Sequence, residues 1–138
     1  IMPIGNGKKV RGGKEVAILT LGTVIHLAEQ AAEVLHNRGI EVALYDFKFL
    51  KPLDKALANE ALEAHKYIIT LEDGCITGGF GSEIAEYSCE CGFGKEVKRL
   101  GIPDNFIEQG TVSELQKLCH FDVESIVQTV ISLINNGD

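Results

Sequence analysis

Three short apolar runs, separated by stretches of helical periodicity, constrain this chain more than any other feature. EVAILTLG (15–22) is closed by glycine and reads as a buried strand. Thr23 follows as a candidate N-cap. Val24, Leu27, Ala28, Ala31, Val34 and Leu35 then recur at helical spacing, and Gly39 stands where a helix ends. EVALYDF (41–47) is the second run. Pro52 interrupts, and Asp54 caps a helix carrying Leu57, Ala61 and Leu62. KYIITLE (66–72) is the third run. The glycine-rich DGCITGGFGS (73–82) follows it and leads into a helix from Ser82 to Cys89. KEVKRLGI (95–102) is more polar and reads as an edge strand. TVSE (111–114) has capping-box spacing, with Thr111 and Glu114 satisfying each other's amides. Asp122 then caps a last helix striped by Val123, Ile126, Val127, Val130, Ile131 and Ile134. Strands apolar on both faces, alternating with helices, predict an α/β fold with a mostly parallel sheet covered on both sides. KKVRGGKEV (8–16) places two β-prone stretches around Gly12-Gly13. Locally this predicts a hairpin, hence one antiparallel strand at the start.

Size and charge limit what such a sheet can do. The chain has 138 residues, 45% of them hydrophobic, enough for one domain with a real core. Its formal net charge of −7 argues against a nucleic-acid binder, and no apolar run reaches membrane-spanning length. The charge is uneven. Residues 1–14 carry Lys8, Lys9, Arg11 and Lys14 with no acid. A docking segment would explain this, and so would an edge strand guarded by lysines. The chain opens without methionine or a secretory signal, so the expectation is a piece of something longer. The division expected is a leading segment, 1–14, with a short antiparallel strand, and an α/β domain, 15–138.

Candidate chemistry is sparse. Cys75, Cys89, Cys91 and Cys119 lack the spacing of a zinc site or a C-x-x-C redox motif and read as ordinary reduced thiols in a cytoplasmic setting. In open parallel sheets, ligands sit beyond the carboxyl ends of strands where the strand order reverses. Gly22-Thr23 and Glu72–Ser82 are the loops that qualify. Glycines at 78, 79 and 81 permit close approach, and the following helix offers amides to an anion. A tight turn seating that helix on the sheet explains the same residues. Glu72 and Asp73 are adjacent acids at a strand end without an obvious metal partner. Asp46 with Lys48, and Lys51 with Asp54, read as ion pairs holding the DFKFLKPLD bend. His26 and His36, ten apart on a predicted helix, converge on no nucleophile, and His65 lies near a helix C-terminus, where a cation is favoured; these and His120 read as surface or packing residues rather than ligands. Taken alone, the chain shows no convincing active site.

Four segments nevertheless carry a resemblance: PIGNGKKVRGGKEVAILTLGT (3–23), FKFLKPLD (47–54), TLEDGCITGGFGSEIAE (70–86) and LGIPDNFIEQGTVSEL (100–115). In this order and spacing they resemble the C-terminal domain of the 1-deoxy-D-xylulose-5-phosphate synthases, within the transketolase-like, thiamine-diphosphate-dependent group. KPLD and the GGFGSE stretch are shared with transketolases and the beta-type subunits of 2-oxoacid dehydrogenases. LGIPDNFIEQG with the later VESIV favours the synthases. LEDG (71–74) departs from the synthase pattern, and the Cys89–Cys91 region is particular to this chain.

The resemblance implies a three-layer α/β/α fold. Its mixed, mostly parallel five-stranded sheet has one antiparallel strand, residues 8–11, paired with 41–47. It implies the last part of an enzyme that decarboxylates pyruvate and joins the two-carbon remainder to glyceraldehyde 3-phosphate, feeding isoprenoid and thiamine synthesis. Thiamine diphosphate and Mg2+ would be bound by the other domains. No catalytic, cofactor or metal residue carries over to this segment, which alone is expected to be inactive. The implied partners are the enzyme's other domains and a second identical subunit, not nucleic acid or membrane. Gly22, Thr23, Glu72, Asp73, Gly78, Gly79, Gly81 and Ser82 become candidates for those contacts. The alternatives are the same domain of a transketolase or 2-oxoacid dehydrogenase, or a free-standing anion-binding α/β domain.

Overall fold

The computed structural model describes residues 7–22, 24–48, 53–72, 79–101 and 123–136. The strands are β1 (Lys8–Arg11), β2 (Val16–Leu21), β3 (Ala43–Phe47), β4 (Tyr67–Glu72) and β5 (Val97–Gly101). The helices are α1 (Ile25–Asn37), α2 (Lys55–Ala64), α3 (Phe80–Glu90) and α4 (Val123–Asn136). The strands form one sheet in the order β1-β3-β2-β4-β5. Only β1 among them runs antiparallel. The fold is therefore the three-layer, mixed five-stranded arrangement expected above.

Side-chain alternation along each strand explains why the runs are apolar throughout. Val16, Ile18, Leu44, Ile69 and Leu71 face α1 and α4, where Ala28, Leu35, Ile126, Val127 and Val130 complete one core. Ala17, Leu19, Tyr45, Phe47 and Ile68 face α2 and α3, meeting Leu57, Leu62, Phe80 and Ile84. Phe47 and Phe80 pack at 5.0 Å between ring centroids.

The local hairpin is overturned. β1 pairs with β3, not β2, through Lys8↔Asp46, Lys9↔Tyr45 and Arg11↔Leu44, with an irregularity between Lys9 and Arg11. The glycine pair does not make a two-residue turn. It carries the chain past the start of β3, where the Lys14 amide donates to the Glu41 carbonyl at 3.2 Å. A Cβ on Gly13 would stand 2.2 Å from the Val42 and Ala43 backbone. The direction of the strand and its pairing with 41–47 are as the resemblance implied.

Helix ends follow local chemistry. Gly39, at φ +82, lets its own amide reach the His36 carbonyl and the Ile40 amide reach Leu35, both at 2.9 Å. This double bond is a Schellman motif. Beside it, the His36 ring bonds Glu41 and holds that carboxyl below its usual range, despite some loss of solvent. Asp54 accepts from the Leu57 amide at 3.1 Å, and its other oxygen accepts from the Gly7 amide at 2.7 Å. α3 begins at Phe80 rather than Ser82. The caps expected at Thr23, Thr111 and Asp122 lie outside the described residues.

Candidate functional site

The strand order reverses beside β2. α1 carries the chain from β2 to β3 on one side, and α2 returns it across β2 to β4 on the other. The carboxyl ends of β2 and β4 therefore flank a switch point, where Leu21 is in register with Glu72. Gly22 follows on one side at φ +95, a conformation that favours glycine. Glu72 ends the other strand.

Glu72 turns inward. It is 7% exposed, and its two carboxylate oxygens accept from the Phe80 amide at 2.9 Å and the Gly81 amide at 3.1 Å. A strand-end carboxylate thus caps α3 from eight residues away, satisfying amides that a helix start leaves unpaired. The negative charge also meets the positive end of the helix dipole. This explains why α3 begins earlier than its apolar pattern suggests.

The glycines follow from this clamp. A Cβ on Gly79 would lie 2.1 Å from Glu72 Oε2. One on Gly81 would meet Arg99 Cγ at 2.4 Å and Thr70 Oγ1 at 2.6 Å. Arg99 reaches along β5 and donates from Nη1 to Ser82 Oγ at 2.9 Å. The buried Thr70 hydroxyl beneath has no hydrogen-bond partner among the described residues. Glu72, Gly79, Gly81 and Ser82 are therefore brought together around the first turn of α3, with Gly22 across the switch point. Thr23, Asp73 and Gly78 lie outside the described residues.

Sequence reading missed Arg99, Phe80 and Thr70 as members of this site. For Phe80 a signal existed: it is the sole large apolar residue inside GGFGS. For Arg99 there was none, because its contact depends on how β5 lies beside α3.

The two leading amides of α3 are already bonded to Glu72. Among the described residues, no three His, Cys, Asp or Glu stand together as a metal-binding group. Thiamine diphosphate with magnesium does not fit the described residues of this site. The other candidates are structural. His65 is buried, with Nδ1 bonded to the Lys14 carbonyl at 2.7 Å and Nε2 to the Tyr45 hydroxyl at 3.0 Å. A carbonyl only accepts, so Nδ1 carries the proton. Burial, then the nearby Glu60 charge, pushes the Tyr45 phenol up to about 12. Asp46 pairs with Lys48 at 2.9 Å as expected. Lys51 and His120 lie outside the described residues. His26 is exposed on α1. Among the described residues, no helix is long and apolar enough to cross a membrane.

A sequence profile for the C-terminal domain of transketolase matches residues 5–126. The chain belongs to the transketolase C-terminal domain family. Within it, the chain is 40% identical over 130 residues to the 1-deoxy-D-xylulose-5-phosphate synthase of Azobacteroides pseudotrichonymphae, covering 94% of this chain and 21% of that protein. It is 42% identical over 128 residues to the synthase of the same name from Parabacteroides distasonis, covering 93% of this chain and 20% of that protein. The chain therefore spans about a fifth of the length of these relatives. Among solved structures, it resembles a split-gene transketolase described as an inactive beta4 tetramer. That match has a TM-score of 0.83 and 30% identity, covering 92% of this chain and 41% of the other.

Proposed function

We propose that this chain is the C-terminal, contact-making domain of a 1-deoxy-D-xylulose-5-phosphate synthase. The whole enzyme condenses pyruvate with glyceraldehyde 3-phosphate, releasing carbon dioxide, and acts in the cytoplasm as a homodimer. Thiamine diphosphate and Mg2+ belong to its other domains, and this domain alone is inactive. The leading observation is the 40% identity to synthases along 94% of the chain. Expression of the intact polypeptide and assay with pyruvate and glyceraldehyde 3-phosphate tests this. Formation of 1-deoxy-D-xylulose 5-phosphate is expected. Two-carbon transfer between sugar phosphates without pyruvate would instead favour the transketolase reading, which the split-gene transketolase match supports. The free-standing anion-binding reading has less support, because Glu72 already occupies the leading amides of α3.

In this reading, the strand ends face the other domains or the second subunit. Gly22, Thr23, Asp73, Gly78, Gly79 and Ser82 make the contact, while Glu72 and Gly81 brace it from behind. Replacing Gly79 or Gly81 by valine is a poor test, because the new side chain strikes Glu72 or Arg99 inside the domain. Ser82→Gln keeps an acceptor for Arg99 and adds bulk at the surface. Sedimentation of that variant of the intact polypeptide should show weaker association at an unchanged unfolding midpoint. Unchanged association would remove Ser82 from the contact.

A further inference from the structure

Polar groups from β1, β3, α2 and the turn before β2 meet around one buried histidine. His65 is the C-cap of α2, in extended backbone, and its ring lies inside the domain. Nδ1 donates to the Lys14 carbonyl at 2.7 Å. Nε2 meets the Tyr45 hydroxyl of β3 at 3.0 Å, with the two rings edge to face. Tyr45 is fully buried, and the Glu60 carboxylate of α2 faces the same phenol by charge and by hydrogen bond. Lys9 of β1 closes the row. Its Nζ lies 3.7 Å from Glu60 and 5.9 Å from the centroid of the Tyr45 ring. Lys14, Glu15, Glu63 and Lys66 flank the histidine along the chain, and all four are exposed.

The hydrogens in this row do not match the acceptors. With Nδ1–H committed to Lys14, a neutral ring presents a lone pair at Nε2. Tyr45 has one hydroxyl hydrogen, and both Nε2 and Glu60 accept it. If Glu60 takes it, the buried Nε2 has no donor. If Nε2 takes it, the carboxylate faces the lone pairs of the phenol oxygen. One added proton at Nε2 removes the conflict, because Nε2 then donates to Tyr45 and Tyr45 donates to Glu60. Burial and the Lys9 cation oppose a charge on the ring, while the C-terminal end of α2 and the Glu60 carboxylate favour it. We propose that His65, Tyr45 and Glu60 form a proton relay, in which uptake of one proton at His65 Nε2 turns the Tyr45 hydroxyl from His65 to Glu60. The proton comes from solvent, His65 gains one positive charge, and Tyr45 and Glu60 keep their protonation states. The Lys14 carbonyl stays bonded in both states, so the ring charges without releasing the segment that leads into β2. Because Lys9 pairs with Glu60, the outer strand is tied to the charge of the joint between α2 and β4.

The test follows exchange of the His65 C2 hydrogen for deuterium in the intact polypeptide, read by mass after trypsin digestion. This exchange reports the charge on the ring, and tryptic peptide 56–66 carries His65 as its sole histidine. Its rate should rise through one step between about pH 5 and pH 8. Tyr45→Phe keeps the apolar ring and removes the hydroxyl. It should move the half-maximal point about one pH unit lower, the difference between a charge-assisted and a neutral hydrogen bond. Glu60→Gln should move it about half a unit lower, and Lys9→Met should move it higher. In the Tyr45→Phe background, Glu60→Gln should have less than half its effect, because the hydroxyl transmits it. If Tyr45→Phe unfolds, the opposite shifts of the two surface variants decide. Absence of the step, no shift with Tyr45→Phe, equal shifts from Glu60→Gln in both backgrounds, or shifts of the same sign from Glu60→Gln and Lys9→Met would each overturn the proposal.

Discussion

Glu72 and Thr70 stand two residues apart on the same face of β4, and their polar atoms have opposite fates. The Glu72 carboxylate is fully used, with one oxygen on each of two helix amides. Glu72→Gln keeps the shape but presents one acceptor and one donor, so one buried amide loses its partner. The expected cost is about 1–3 kcal/mol, read as a lower urea midpoint. The Thr70 hydroxyl has no partner among the described residues. Thr70→Val replaces it with a methyl of nearly equal volume and should raise stability by about 1 kcal/mol, read as a higher urea midpoint. A gain from Glu72→Gln, or a loss from Thr70→Val, would contradict these assignments. The adjacent acids Glu72 and Asp73 were visible in the sequence, but not what Glu72 does. That role depends on a side chain reaching an amide eight residues on, past GGFGS, which no local pattern encodes.

At the scale of elements, legibility follows the range of the interaction. Gly39 and Asp54 were readable because a helix end is decided within about one turn of chain. Gly12-Gly13 was misread because the steric partner of Gly13 is the start of β3, some thirty residues later. The two kinds of glycine separate experimentally. Gly39→Ala meets no atom within 4 Å and suffers only from its positive φ. It should cost about 1 kcal/mol. Gly13→Ala places a Cβ against backbone that cannot rotate away. It should cost about 1–3 kcal/mol, at the upper end for overpacking. Chemical denaturation of both variants checks the order, and a larger loss at Gly39 would refute it. The candidate contact site was half legible in the same way. Its location followed from strand order and glycine content, while the bracing by Arg99 required β5 beside α3.

The whole molecule is acidic, yet its outer strands are not. β1 carries Lys8, Lys9 and Arg11, and β5 carries Lys98 and Arg99. Lys9 pairs with Glu60 at 3.7 Å and Arg11 with Glu33 at 3.4 Å, whereas Lys8 is exposed. Positive charge along an open strand discourages pairing with another sheet. Lys8→Val should therefore raise light scattering on concentration while shifting stability by no more than about 0.5 kcal/mol. Equal scattering from both proteins would assign the lysine another purpose. The placement of β1 bears also on how the chain is made. β1 leaves the ribosome before β3, but its place in the sheet is created by β3, whose Asp46 faces Lys8. Until then the strand waits unpaired, a state in which nascent chains are prone to stick to one another. Mutual repulsion between its cations suits that waiting period, so the same charges serve the protein before it has a fold as well as after.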